Sequence, residues 1–568
     1  MRARWAAVGG CILVLACNDG VIAPGADSHA TDTGSADTRD ATSAPADGTT
    51  ADSTTVETAT EETAATETTP SDTAAPDSTP SDTHGDGDTD SDTTQPPACG
   101  TAPAWIGQVQ IVRNGRYANL SGLPAGNVPA RDVTVYLPAN YDSESAARFP
   151  VMYMHDGQNL FDDVFSAFGE WGVDEAVDAL TASGDIGPLM IVGVPNNADR
   201  VGEYTPSEDP IEGGGRGADY VRWLVEAVKP AIDASFRTAC ARESTAVMGS
   251  SLGGLISLWM ATEAPANQLF GRFGVVSPSL WWDGEALLEA IETGTLPRPT
   301  RLWLDMGTAE AELGWTADDA VERSQRLRNR LLALGLELGT DFGYLEDVGA
   351  AHDEHAWRAR LPAILRSLWG APMTGKPSGL QILPWHDGLY LGPRPTMGVS
   401  VEAAYDPSGR LTIAAASAQL ATTDGGVTSL EGDRIRGLQA GAGSLSAAYL
   451  GAAALGAVTV HGAGLVPLRF FVHVPAFTDR VYVAGDASAL GPWNPGLVSL
   501  AIVPPLGSDL WTVEVPVAAG VEVKYKYTRG TWESVEVHAD GTDLGDRVVA
   551  PPAGETVVRD TVDRWRDF

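Results

Sequence analysis

The sequence predicts an α/β domain with a largely parallel sheet, followed by two small all-β sandwiches. Three observations predict it. Between residues 101 and 371, short apolar runs alternate with longer helical patterns, the signature of strands and helices following one another. From 376 to 463 charged residues become scarce, and alternating segments such as VSVEAAY, LTIAAAS and AVTVHG are separated by Gly, Asp and Ser. From 464 to 568, paired β runs with turn residues return, as in LRFFVHVP and VEVKYKYTRG.

The ends of the chain obey other rules. At 568 residues there is room for several domains, each burying its own core. A formal charge of −38 argues against nucleic acid as a partner, because a phosphate backbone needs a basic surface. MRARWAAVGGCILVLAC has a basic start and an apolar run shorter than the ~20 residues of a membrane span, so residues 1–17 are expected to be an export signal. Its VLAC ending resembles a bacterial lipobox, which implies cleavage before Cys17, lipidation there, and attachment to the bacterial cell envelope; an ordinary signal peptide and a secreted chain are the alternative. Residues 18–100 are nearly all Asp, Glu, Thr, Ser, Ala and Pro. Up to Ala98 they hold eighteen acidic residues against Arg39 alone, too little apolar surface to offset the entropy of ordering. This segment is expected to be a disordered, charge-extended linker. Cys99 and Cys240 are the two cysteines left in a mature chain, either as a disulfide or as free thiols.

In the α/β segment, candidate strands are DVTVYL from 132, PVMYMH from 150, PLMIVGV from 188, STAVMG from 244, RFGVVS from 272, RLWLDMG from 301 and DFGYLE from 341. ADYVRWLVEAVKPAID between them places Tyr220, Leu224, Val228 and Ile232 on one helical face. AVERSQRLRNRLLALG ends at a glycine of the kind that terminates helices.

Chemistry concentrates at VMGSSLGGLISLWM, residues 247–260. Gly249, Ser251 and Gly253 make G-x-S-x-G at a strand-to-helix turn, where glycines relieve backbone crowding and the serine hydroxyl projects. Ser250 lacks glycines at those offsets. A serine hydroxyl is a weak nucleophile until a neighbouring base takes its proton and an acid orients that base. With the chain order serine, acid, histidine, the loop VGAAHDEHAWRARL offers His352 within the loop and His355 at a helix start, and His352 is preferred. Glu310, in the turn after RLWLDMG, leads as the acid, with Asp305 second. Oxyanion donors are expected from the amide of Leu252 and from the loop at Gly157 and Gln158, where Gly157 would let the backbone approach substrate. His155 precedes the elbow in the chain and is expected to fix its loop by hydrogen bonding. HDEH spaces its histidines by three residues, unlike the helical HExxH pattern, so no metal or other cofactor is expected.

YMHDGQNLFD, DRVGEYTP, GSSLGGL, SPSLWW, LDMGTAE and AHDEHAW occur in the order found in the esterase family that includes feruloyl and acetyl-xylan esterases, esterase D, enterochelin esterases and mycolyltransferases. The chain resembles that family over most of 105–370. The resemblance implies an α/β-hydrolase fold with Ser251 as nucleophile, His352 as base and Glu310 as acid. Glutamate stands where the feruloyl esterases often carry aspartate, and AAH replaces a common glycine pair before the histidine.

The C-terminal part carries two further resemblances. LEGDRIRGLQAGAGSLSAAYLGAAALGAVTV resembles the last strands of bacterial immunoglobulin-like domains, group 2, which implies a spacer. LGPW, YKY and WE in order resemble the family 20 starch-binding module, which implies a sugar platform of Trp493, Lys526, Trp532 and Glu533, with Asp546 where asparagine is frequent. A flat indole face against the C–H groups of a pyranose is sound chemistry for such a site. The expected function is therefore an exported serine esterase whose partners are an ester substrate, a polysaccharide to which that ester is attached, and a membrane through the lipid anchor. The alternatives are a siderophore esterase or acyltransferase on the same fold, or a non-catalytic glycan-binding lipoprotein.

Overall fold

Apolar runs that continue through both side-chain parities demand cover on both faces of a sheet, and the centre of this molecule supplies it. The computed structural model describes residues 108–112, 116–162, 166, 169–310, 316–476, 478–502 and 509–567. The export signal, Cys17, the 18–100 linker and Cys99 lie outside the described residues. Cys240 is disulfide-bonded.

Nine strands form the central sheet: β1 (Gln108–Val112), β2 (Tyr117–Ser121), β3 (Val133–Tyr136), β4 (Val151–His155), β5 (Met190–Val194), β6 (Thr245–Ser250), β7 (Arg272–Val276), β8 (Arg301–Gly307) and β9 (Phe342–Asp347). Their order is β1-β2-β3-β5-β4-β6-β7-β8-β9, parallel from β5 to β9 and antiparallel at the β1 to β3 edge. The sequence reading starts the sheet at 132. The pair β1 and β2, QVQIV and YANLS, adds an edge whose mixed polar composition hides it from a search for apolar runs.

Every residue of β4, β5 and β6 is buried. Helix α1 (Val173–Ser183) and helix α4 (Glu354–Trp369) cover one face, through Val177, Leu180, Leu361 and Leu365. The helical stretch 217–235, α2 (Leu252–Thr262) and α3 (Ala317–Ala333) cover the other, through Tyr220, Leu224, Ile256 and Leu327. The chain leaves β4 for β5 on one side and then crosses to β6 on the other. This reversal opens a crevice outside the carboxyl ends of β4 and β6, where α/β sheets bind ligands.

Residues 379–461 form two facing sheets, built on Thr396–Tyr405 and on the hairpin Gly441–Tyr449 with Ala452–His461. The spacer expectation needs correcting here. Met397, Val401, Leu411 and Ile413 share one apolar core with Ile364 and Leu368 of α4, so detaching this sandwich would wet both surfaces. Thr412 Oγ1 accepts from the Glu346 amide of β9 at 2.8 Å, and Arg328 of α3 pairs with Asp433 at 2.5 Å. Residues 465–565 form a second pair of sheets around Phe470, Trp511, Tyr525, Tyr527 and Trp565. Its Glu514 receives Arg394 from the preceding sandwich at 3.0 Å and its own Arg469 at 2.9 Å.

Candidate active site

The turn from β6 into α2 is held by what its glycines exclude. A Cβ on Gly249 would lie 2.8 Å from the His155 ring and 2.9 Å from the Gly253 carbonyl carbon, and one on Gly254 would lie 2.6 Å from the Val276 carbonyl oxygen. Ser251, with φ 58° and ψ −123°, occupies a region that costs an L-residue about 1–3 kcal/mol. The strain lifts its hydroxyl out of the elbow, 3.3 Å from Ser279 Oγ. Ser250, by contrast, is the buried last residue of β6. Leu252 opens α2, where an amide with no intrahelical acceptor meets the positive end of the helix dipole.

Two neighbouring loops bring up the other groups. Glu310 follows β8 and is 1% exposed. His352 sits between β9 and α4, and its Nδ1 lies 2.8 Å from Glu310 Oε2. Ser251 and His352 line one cavity of about 300 Å³, together with Gln158, Arg200, Glu354 and Trp357. Trp357 meets the His352 ring edge to face, with centroids 5.0 Å apart. A hydroxyl and an imidazole facing one cavity, with a buried carboxylate behind the imidazole, can carry out acyl transfer.

The second acid candidate has a different environment. Asp305, in β8, is fully buried, accepts from Ser277 N at 3.0 Å and Trp303 Nε1 at 2.6 Å, and pairs with Arg360 at 3.2 Å. Burial pushes its carboxyl up to about 6 against these partners. None of its contacts is to His352, so it serves the packing of β8 against α4. His355 is exposed at the start of α4 and lies outside the cavity lining.

The loop after β4 begins with Asp156 in the left-handed region, φ 55°, followed by a short 3-10 turn, Gly157–Asn159. Gln158 lines the cavity, and its side-chain Oε1 accepts from Asn196 N at 3.1 Å. A Cβ on Gly157 would lie 2.4 Å from the Gly193 carbonyl carbon and 2.5 Å from Val194 N, so close packing on β5 also requires glycine there. His155 Nδ1 meets Tyr220 Oη at 2.8 Å, and burial pushes its imidazole down to about 4. Burial pushes the Asp156 carboxyl up, but Arg200 at 2.8 and 2.9 Å and Asn196 at 2.6 Å more than offset this, so it titrates below the usual range.

The sequence reading does not assign roles to Ser277, Trp357, Arg360, Arg200 or Glu354. SPSLWW, AHDEHAW and DRVGEYTP flag four of them as motif members. Arg360, a fully buried cation, has no local signal.

In the last sandwich, Trp493, Lys526 and Trp532 line a hollow of about 320 Å³ with Asp546 and Arg566. The two indoles are 6.2 Å apart at 44°, and Trp532 is 36% exposed. Lys526 donates to the Leu544 carbonyl and lies 4.0 Å from Asp546. Glu533, next to Trp532 in the 3-10 turn Trp532–Ser534, is exposed and is not among the residues lining the hollow.

The nine-stranded sheet with helices on both faces is an α/β-hydrolase-like arrangement, and two β sandwiches follow it. The family model described as "Putative esterase" matches residues 129–368, and the starch binding domain model matches 465–557. The chain is 30% identical over 200 residues to the uncharacterized protein YbbA of Bacillus subtilis (strain 168), covering 34% of this chain and 72% of that one. It is 33% identical over 110 residues to an amylopullulanase of Thermoanaerobacter thermohydrosulfuricus, covering 18% of this chain and 7% of that protein. Among solved structures it is similar to the BES protein from Bacillus cereus, 20% identical over 47% of this chain and 99% of the other, with a TM-score of 0.35. The chain belongs to this esterase family, and it carries a starch-binding domain at its C-terminal end.

Proposed function

We propose that the chain is a serine esterase acting on acyl or feruloyl esters attached to polysaccharide, exported and held at the cell envelope by lipid on Cys17. The observation that carries the catalytic reading is the 2.8 Å contact of His352 Nδ1 with buried Glu310, in a cavity wall shared with strained Ser251. With Nδ1 donating to Glu310, Nε2 is the base. As Ser251 Oγ bonds to the ester carbonyl carbon, its proton passes to Nε2, and the amides of Leu252 and Gln158 receive the oxyanion. Collapse breaks the carbon–oxygen bond to the alcohol, which leaves with the proton from His352. Water then repeats the sequence, releasing the acid and free Ser251.

The glycan part of the proposal rests on the starch-binding domain and its tryptophan hollow. Binding polysaccharide at that end raises the effective concentration of attached esters near Ser251. The test is p-nitrophenyl acetate turnover by the purified chain beside Ser251→Ala. Turnover that disappears in the variant supports the reading, and turnover indifferent to it defeats the reading.

A further inference from the structure

Behind the His352–Glu310 pair lies a second serine that the chemistry above does not use. Ser277 follows β7, is fully buried, and is held at φ 40°, a conformation that favours glycine. Its amide is fixed on Asp305 Oδ1 at 3.0 Å. Its Oγ accepts two N–H groups, from Trp357 Nε1 at 3.0 Å and from Arg360 Nη2 at 2.9 Å. A hydroxyl has one hydrogen and two lone pairs. With both lone pairs engaged, the hydrogen is left for Glu310 Oε1, 2.7 Å away. That oxygen also accepts from Gly307 N at 2.6 Å and lies 3.3 Å from Arg360 Nη2. Glu310 Oε1 is thus surrounded by donors from β7, β8 and α4, and Oε2 is left facing His352.

We propose that Ser277 is a positioning residue for acyl transfer, its hydroxyl driven by Trp357 and Arg360 to lock the Glu310 carboxylate so that one oxygen alone serves His352. The proposal rests on the serine-esterase reading and assigns it a component outside the three reacting side chains. The arrangement spends a strained backbone and three buried donors on one carboxylate oxygen, more than solubility of that charge alone needs. Trp357 joins it to the cavity, because the same indole packs edge to face on His352.

The charged and titratable groups facing Glu310 are Arg360 and His352, with Asp305 and Asp347 beyond the guanidinium. Removing the Ser277 hydroxyl takes one donor from the carboxylate and leaves more of its charge to a protonated His352. The acid limb of kcat/KM then moves to higher pH. Without that hydroxyl the carboxylate is free to turn away from the one orientation that serves His352, and misalignment of the base corresponds to about a 10- to 100-fold fall in kcat.

The experiment compares Ser277→Ala, Trp357→Phe and Ser251→Ala in the full chain, using p-nitrophenyl acetate from pH 5 to 9 with a thermal melt of each. The expected result is a kcat loss of that size for Ser277→Ala with KM unchanged and the acid limb moved upward. Trp357→Phe keeps the ring on His352 but frees one Ser277 lone pair, and gives a smaller loss in the same direction. Should Ser277→Ala melt too low to assay, Trp357→Phe decides by the same two readouts. Unchanged kcat and pH profile, or a change in KM alone, overturns the positioning role while a dead Ser251→Ala leaves the esterase reading intact. Turnover surviving in Ser251→Ala overturns both.

Discussion

Glu354 lines the cavity beside His352 and accepts from Asn159 Nδ2 at 3.3 Å. Burial, with the charges of Asp156 and Asp353, pushes its carboxyl from 4.5 up to about 7. In the unfolded chain the group ionises near the lower value. Its protonated form is therefore the one the fold favours, and its favourable contribution is complete below pH 4.5 and is lost as pH rises toward 7. A difference of this size has a ceiling of about 3 kcal/mol. Glu354 is only partly buried, and solvent screening reduces the figure to about 1–2 kcal/mol. Its place in the first turn of α4, where the helix dipole favours an anion, trims the gain by a few tenths more. Glu354→Gln keeps the acceptor for Asn159 and removes the titration. Urea denaturation at pH 5 and pH 8 should show the variant more stable than wild type by roughly 1 kcal/mol at pH 8, with most of that advantage gone at pH 5. Equal stability at pH 8, or an advantage that grows toward pH 5, would refute the reasoning.

Two further outcomes follow from contacts already described. Gly254→Ala forces a methyl to 2.6 Å from the Val276 carbonyl, so the melt should fall by several degrees, about 2–3 kcal/mol, together with esterase turnover. Trp532→Ala removes one wall of the tryptophan hollow. Retention on amylose should weaken about tenfold or more while turnover of p-nitrophenyl acetate is unchanged, read by affinity electrophoresis beside a kinetic assay.

The legible parts of this chain are those whose cause is local. VMYMH, MIVGV and TAVMGS read as strands because both faces are covered and no polar position interrupts them. Gly249 reads as part of an elbow because the tight turn leaves no room for its Cβ, whereas a Cβ on Gly253 would meet nothing nearer than 3.3 Å. Illegible parts depend on what arrives from elsewhere. Leu361, Ile364, Leu365 and Leu368 identify α4 as a helix with much apolar surface, but that part of it seals against the 379–461 sandwich appears only when both are folded. Ser277 and Arg360 are 83 residues apart, and nothing in either segment announces that a guanidinium and a hydroxyl share one carboxylate oxygen. Gly157 is read in the sequence as room for substrate, and the structure adds a second demand from a distance: a Cβ there would lie 2.4 Å from the Gly193 backbone of β5.

The central claim is that the Ser251 hydroxyl becomes nucleophilic because His352, backed by Glu310, removes its proton. Treating the intact chain with a fluorophosphonate and mapping the adduct by peptide mass spectrometry tests this most directly. The account predicts one phosphonyl group, on the peptide holding Ser251, absent from Ser251→Ala and strongly slowed in His352→Ala. Label on another residue, or undiminished labelling of Ser251 without His352, would contradict it.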